Sequence, residues 1–498
     1  MNPISPRLTK AFSADSYNTK AASLQAKLHA YLSDTSAGVA NPTVSPDEEY
    51  AYWLKRLKEE GGKGTPAPLD EVLDRTVHIL HPHYMGHQVS PGLPSLGLAD
   101  QLSGMLNAGM GVYEMGRPGT VMERIVIEQF ADALGLPDTT DGFLTHGGTL
   151  ANLTALLAAR AARWPGKNEV WEDGQTDELR PCLLVNEQAH YCIDRAVRIM
   201  GWGAGGIRLV PSNDEFRIRV DQIDQAVEEA LAEGYTPIAI VGSACTTSTG
   251  SFDDLAGLAD AAQRHQLWFH VDAAHGGPFG LLPEYRQTIL AGLERADSIV
   301  IDFHKSCCVP ALCTGLFFRQ GKDAYRTFRQ RADYLLSFES EDEWYNLGRR
   351  TFECTKQMLS LRVYSLLYEY GFPFLHDYLR RVNELGQHLA TLVNSRMDFD
   401  LAMPPDCNIV CFRYFPKTAN LNAQQIDALN EMIRQQLVES EQFYIVSTKL
   451  RGRYYLRCTL TNPFTDEGHL EKMLDAVEEI GNEIQNLRPL AGLHFVTA

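Results

Sequence analysis

Apolar residues run in short unbroken stretches through the middle of the chain. Segments 182–186 (CLLVN), 238–242 (IAIVG), 267–272 (LWFHVD), 298–303 (SIVIDF) and 315–318 (GLFF) each predict a short strand with both faces covered. Segments of helical period separate several of them. "GGTLANLTALLAARAAR" puts Leu150, Leu153 and Leu157 on one helical face, and "RVDQIDQAVEEALAEG" and "DLAGLADAAQRHQ" also read as helices. Continuous apolar strands alternating with helices predict an α/β fold, its sheet mostly parallel and covered by helices. The two ends of the chain differ from this middle. Residues 1–95 are largely polar and helix-prone, and "PDEEYAYWLKRLKEEGG" predicts an amphipathic helix stopping at Gly61-Gly62. Such a segment has little apolar surface to bury alone and is expected to pack on a larger body. After residue 355, "CTKQMLSLRVYSLLYEYG" predicts a long helical stretch, followed by strands near 407–414 and 453–460. Three parts are expected: an N-terminal helical segment (1–95), a large domain (96–355) and a smaller C-terminal α+β domain (356–498).

Charge narrows the partners. The 498 residues carry 45 basic and 63 acidic side chains, a formal net charge of −18. That field disfavours nucleic acid and anionic membrane surfaces, and any acidic ligand needs a local cation. Ten cysteines without a repeating spacing predict reduced thiols and a cytoplasmic protein. Cys407 and Cys411 lie in a strand-like run, and His81, His83 and His87 lack a helical HExxH arrangement, so no metal is expected. No stretch has the length of a membrane span or the character of a signal peptide.

Four features then occur in order. "THGGTLANLTAL" sets two glycines and Thr149 before a helix, where bare N–H groups form an anion site. "NEQAHYCIDRA" puts His190 just past a strand. "HVDAAHGG" ends a strand at Asp272 and follows it with small residues that leave room for a flat ring. "IDFHK" closes a buried strand with Lys305, a residue rarely placed in such a position. A phosphate cradle, a ring stacker, a carboxylate for a protonated ring nitrogen and an amine are what pyridoxal 5'-phosphate requires. The amine must be neutral to attack an aldehyde, so its pKa is expected to be lowered by desolvation or a nearby cation.

These motifs, with "ACTTSTGSFDDL" (244–255), resemble the group II pyridoxal-phosphate-dependent amino-acid decarboxylases, whose members act on glutamate, cysteine sulfinate, aspartate and aromatic amino acids. The resemblance runs from about residue 75 to the C-terminus. It implies a fold-type I PLP-dependent transferase fold and a homodimer with its site near the subunit interface. By the same resemblance Lys305 is the Schiff-base lysine, Asp272 the ring-nitrogen partner and His190 the stacking residue. Gly148, Thr149 and His304 hold the phosphate, Thr246 lies near the ring hydroxyl, and Ala274 touches the ring face. The sequence departs from the family after the lysine, where Ser306-Cys307-Cys308 replaces the bulky residue often found there.

The resemblance also implies a mobile loop carrying the proton donor. "DYLLSFESEDEWYNLGRR" (333–350) fits it, with Tyr345 as the candidate acid and Trp344 or Tyr334 as substitutes. The run Gln88-Val89-Ser90-Pro91-Gly92-Leu93 is similar to a pocket segment of the glutamate and cysteine sulfinate members. Arg457 in "YYLRCTLTNPFTD" stands where those members bind a carboxylate. The expected activity is decarboxylation of an acidic L-amino acid, a small-molecule substrate, to amine and carbon dioxide. The alternatives are an aromatic or diamino substrate, an oxygen-consuming aldehyde-forming reaction, or a non-catalytic scaffold of the same fold.

Overall fold

The computed structural model describes residues 3–63, 66–164, 169–175, 179–328 and 344–487. Contacts divide the chain into two units. One holds the chain up to His87, Leu392–Asp400 and the chain from Phe412 onward; the other holds Gln88–Thr391 and Leu401–Cys411.

The larger unit is built on a seven-stranded sheet. Its strands are β1 (Asp141–Thr145), β2 (Pro181–Asn186), β3 (Ile207–Val210), β4 (Thr236–Ser243), β5 (Trp268–Asp272), β6 (Ser298–Asp302) and β7 (Thr314–Phe318), in the spatial order β1-β7-β6-β5-β4-β2-β3. Neighbours from β3 to β6 pair in parallel, and β7 runs antiparallel to both β6 and β1. All five apolar stretches of the sequence are strands of this sheet. The two strands that pattern alone does not reveal, β1 and β3, are its edges. β3 is interrupted by Arg208 and only Val210 is buried in it, so it lacks a continuous apolar run.

Helix Gly148–Arg163 packs on the sheet through Ala151, Ala155, Leu156, Ala158 and Ala159, all fully buried. Alanines let the helix axis approach the strands, which sets the helix N-terminus beside the ends of the central strands. In β6, Ile299, Val300 and Ile301 are buried, each contributing about 1.5–3 kcal/mol. That burial pins the strand whose end carries Asp302 and, one short helical turn on (Phe303–Ser306), His304 and Lys305.

The smaller unit contains helix Pro46–Glu60, as the pattern predicts. Ser45 and Glu48 form a capping box at its start, and Gly61 ends it. A second sheet has four strands, β8 (Phe399–Leu401), β9 (Ile409–Tyr414), β10 (Val446–Leu450) and β11 (Arg453–Thr459), in the order β10-β11-β9-β8. β10 and β11 form a hairpin closed by Arg451 and Gly452, both at positive φ, the backbone a two-residue turn between twisted strands requires. The predicted helix near 354–371 is regular only over Ser360–Glu369.

Candidate active site

β5 and β6 end side by side, with Asp272 and Asp302 as their last residues. The carboxyl ends of parallel strands are where ligands bind in open α/β sheets. A cavity of about 300 Å³ opens there, within the larger unit. Of the residues expected at the site, Gln88, Gly148, Thr149, His190, Asp272, Ala274, His304 and Lys305 line it.

Each is held by an identifiable local device. Gly147 has φ near +100°, which glycine adopts without strain, and it turns the chain into helix Gly148–Arg163 without any side-chain cap. The first N–H groups of that helix are therefore free of a capping side chain at the cavity, a built anion site. A Cβ on Gly148 would lie 3.1 Å from both Asp302 carboxylate oxygens, so the backbone approaches closely there. His190 caps helix Tyr191–Ile199, its Nδ1 accepting from Cys192 N at 3.3 Å, which fixes the imidazole at the rim. His304 is tied through Nδ1 to the Cys313 backbone at 3.0 Å, and its Nε2 lies 3.8 Å from Asp302. Asp272 accepts from Ala274 N at 3.2 Å. Burial raises its pKa, opposed by the charges of Lys305 and His190; burial likewise lowers that of His190.

The electrostatics of Lys305 correct one expectation. Desolvation does act to lower its pKa, but Asp302 and Asp272 outweigh it, and the ammonium is stabilised instead. Its Nζ lies 2.9 Å from Asp302 Oδ2. Burial opposes ionisation of Asp302, yet Lys305, His304 and the Thr314 hydroxyl prevail and hold it below its ordinary value. Asp302 is thus a site residue that sequence reasoning passed over, although it stands three positions before the lysine in "IDFHK". Asn152 is another. One helical turn after Gly148, its amide donates to Gly148 O at 2.9 Å and its carbonyl meets His270 Nε2 at 2.7 Å. His270 sits in β5 two residues before Asp272, so one side chain links the anion loop to the strand bearing the acid. The i, i+4 spacing was the available signal. His146, Cys192, Cys245, His275 and Leu312 also line the cavity without having been singled out.

Other expected residues lie elsewhere. Thr247, not Thr246, reaches the cavity; the Thr246 hydroxyl is engaged by Thr249 Oγ1 at 2.7 Å and Ser251 N at 3.2 Å. Ser90 is buried against the lysine segment, donating to His304 O and accepting from Cys308 N, both at 3.1 Å. Ser306 donates to His275 O at 2.8 Å, and Cys307 and Cys308 are buried, so the short residues after Lys305 pack inward. Tyr345 packs edge-on against Tyr113 at 5.4 Å between ring centres and is not part of the cavity wall. Most of the expected donor loop, including Tyr334, lies outside the described residues. Arg457 is buried on β11 of the smaller unit.

His190, Cys192 and Asp272 present ligand atoms within 4.8 Å of one another. Burial pushes the Cys192 thiol far above its ordinary pKa, which opposes the thiolate a metal would need. The arrangement suits an anionic, flat, aldehyde-bearing ring better: uncapped N–H groups for a phosphate, Asp272 for a ring N–H, an imidazole for a ring face and Lys305 for the carbonyl carbon. Pyridoxal phosphate meets each of these groups.

Comparisons with known proteins agree with this geometry. The family described as "Pyridoxal-dependent decarboxylase conserved domain" matches residues 69–415. The L-2,4-diaminobutyrate decarboxylase of Rhizobium meliloti is 29% identical over 439 residues, covering 86% of this chain and 84% of that one. The aspartate 1-decarboxylase of Aliivibrio fischeri is 27% identical over 464 residues, covering 85% and 83%. Among solved structures, that of Oryza sativa TDC with PLP and tryptamine superposes with a TM-score of 0.85 at 21% identity, covering 97% of this chain and 100% of that one.

Proposed function

Because the chain belongs to the pyridoxal-dependent decarboxylase family, an amino-acid decarboxylase with pyridoxal phosphate as cofactor, we propose that its substrate is an acidic L-amino acid: aspartate, glutamate or cysteine sulfinate. The products are the amine and carbon dioxide. The observation that carries this reading is the character of the cavity. Among the described residues no Phe, Tyr or Trp lines it, and beyond the groups given to the cofactor Gln88, His146 and His275 remain. Its two carboxylates, Asp272 and Asp302, have tasks toward the cofactor and Lys305. An aromatic side chain would find no ring to stack on there, while a carboxylate would meet hydrogen-bond donors.

In this reading Lys305 holds the cofactor through its aldehyde carbon. Asp272 keeps a proton on the ring nitrogen, His190 stacks on the ring, and the Gly148–Thr149 backbone with His304 holds the phosphate. Bound pyridoxal phosphate supplies an electron sink for the pair left behind as the α-carboxylate departs. Arg457 is the candidate cation for a substrate carboxylate. Such a charge-assisted contact contributes about 1.5–3 kcal/mol, so Arg457→Gln should lower kcat/KM roughly ten- to a hundredfold. Tyr345 remains the candidate donor to the α-carbon; Tyr345→Phe should then release carbon dioxide but yield aldehyde alongside the amine. Clean amine at the parental rate would remove Tyr345 from that role.

One observation favours a second reading, a diamino acid. Glu353 pairs with His146 Nδ1 at 2.5 Å, and its other oxygen, Oε2, is buried with no hydrogen-bond partner among the described residues. A substrate ammonium would satisfy it. Competition among aspartate, glutamate, cysteine sulfinate, 2,4-diaminobutyrate and tryptophan, with amine and carbon dioxide measured together, decides. A winning diamino or aromatic acid sinks the acidic reading.

A homodimer belongs to the same proposal. Leu98, Leu102, Met105 and Leu106 on helix Leu96–Leu106 are all more than half exposed, a run of apolar surface that a second copy would cover. A monomeric mass by light scattering would contradict it. No helix among the described residues is long and apolar enough to cross a membrane, and none of the ten cysteines is in a disulfide, which suits a reducing cytoplasm.

A further inference from the structure

Two thiols distant in sequence meet at the cavity wall. Cys245 follows β4 and lines the cavity; Cys407 precedes β9; their Sγ atoms are 3.9 Å apart. Both belong to the larger unit. Their backbones are tied together independently of the sulfurs. Asp406 accepts from Phe252 N at 3.2 Å and pairs with Arg217 at 2.8 Å, and Asn408 Oδ1 meets His275 Nε2 at 2.8 Å.

We propose that Cys245 and Cys407 form an oxidisable dithiol, a modification site that hydrogen peroxide converts to a disulfide. The sulfurs need to close from 3.9 Å to about 2.05 Å, within reach of side-chain rotation on two anchored segments. Cys245 borders the cavity and Cys407 lies fully buried behind it, so peroxide must pass Cys245 to reach the pair. Burial opposes ionisation of Cys407, but Cys245 and His275 beside it prevail and favour the thiolate, the nucleophilic form. Other buried thiols lack this help: burial pushes Cys308 and Cys313 up to about 12, and Cys307 rises with them. Proximity alone therefore does not make a reactive pair, and the adjacent Cys307-Cys308 serves as an internal control.

The Cys407 sulfur attacks one peroxide oxygen and the O–O bond breaks, giving a sulfenic acid and hydroxide, which takes up the thiol proton as water. The Cys245 sulfur then displaces the sulfenic oxygen, which leaves with the Cys245 proton as a second water. Two thiols lose two electrons in total, and one peroxide becomes two waters.

The test uses holoenzyme carrying Cys354→Ser, which removes the exposed thiol. After peroxide, remaining thiols are alkylated under denaturing conditions and the digest is read by mass spectrometry. The expected result is a peptide pair joined through Cys245 and Cys407, reversed by dithiothreitol and absent in the additional variant Cys407→Ser. Should that variant fail to fold, the cross-link in its Cys407 parent still decides. Alkylated Cys245 and Cys407 after peroxide has oxidised Cys354 in the unsubstituted protein would overturn the proposal. So would Cys407 stopping at sulfinic acid while Cys245 stays alkylatable.

Discussion

Two lysines of the larger unit are turned inward, each onto a carboxylate, and they do different things. Lys356 meets Glu123 at 2.5 Å, both side chains about 1% exposed, and also donates to the Leu144 carbonyl. Lys305 meets Asp302 at 2.9 Å, but its side chain keeps 23% of its surface. Both border cavities. The one beside Lys356, about 810 Å³, is the larger. Neither pairing nor a neighbouring cavity separates the functional lysine from the structural one. The separation lies in how fully the ammonium is engaged. Lys356 is enclosed, and Glu123 also accepts from Leu144 N at 3.0 Å, so the pair clamps the Tyr113–Ala133 helix to β1. Lys305 has a single carboxylate and an open side facing His190, Asp272 and the start of the Gly148 helix.

The sharpest way to break the comparison is to remove each lysine. Lys305→Ala should abolish both the visible absorbance of the bound cofactor and the turnover, with a smaller loss of stability than Lys356→Ala, because the Lys305 side chain is partly solvated. Retained absorbance and activity would mean that another group holds the cofactor. Lys356→Ala should act in the opposite manner. It leaves Glu123 buried without its cation, a change that costs about 3–5 kcal/mol. Denaturant unfolding should show that loss, while any protein that still folds binds cofactor. A Lys356→Ala protein of full stability but without turnover would make Lys356 the functional residue of the two.

A smaller effect separates the sites by pH. His270, fully buried behind Asp272, has its pKa lowered to about 3 by desolvation. The unfolded chain takes up a proton near the ordinary histidine value of about 6.5, so the folded state binds fewer protons below it. Stability from this group is therefore present above that value and falls as pH drops toward about 3. The expected slope is about 1.4 kcal/mol per pH unit for one such group. His270→Gln should flatten the acid limb of the stability profile. Parallel slopes in the parent and His270→Gln would show that His270 titrates like a solvated imidazole.

What the sequence revealed and what it hid follow the same division. The buried strands announce themselves because a strand covered on both faces is mostly apolar; β3 escapes because Arg208 interrupts it at the sheet edge, and β1, though buried over four of its five residues, because Gly142 and Thr145 break its apolar run. Lys305 and His190 were legible because each is an improbable residue at a strand end or just past it, and Asp272 because small residues follow it. Asp302 was not, because Phe303 and His304 follow it instead, and it reads as a turn cap until its distance from the lysine is known. Asn152, Cys245 and Cys407 depend on contacts across more than a hundred residues, as Asn152 with His270 and Cys245 with Cys407, and no local pattern encodes those.

The smallest predicted effect tests why Lys305 is paired at all. Asp302→Asn keeps an oxygen that can accept from the Thr314 hydroxyl but removes the negative charge that favours the Lys305 ammonium. The Lys305 pKa must then fall, since desolvation remains and only Asp272, with Cys192 behind it, still opposes it. More neutral amine is present at any given pH, so apo-enzyme should take up pyridoxal phosphate over a range displaced toward lower pH. The stability profile should move too, with a sign that can be worked out. The raised lysine contributes stability that is present below its unfolded value of about 10.4 and lost as pH rises through the folded value. The depressed carboxylate contributes stability present above about 3.9 and lost as pH falls through its folded value. The parent should therefore exceed Asp302→Asn in stability at mid pH, and the two should converge in strong acid, where the parental carboxyl is protonated. An uptake profile unmoved by the substitution would show that Asp302 does not set the charge of Lys305, and that the lysine's second neighbour, Asp272, does so alone.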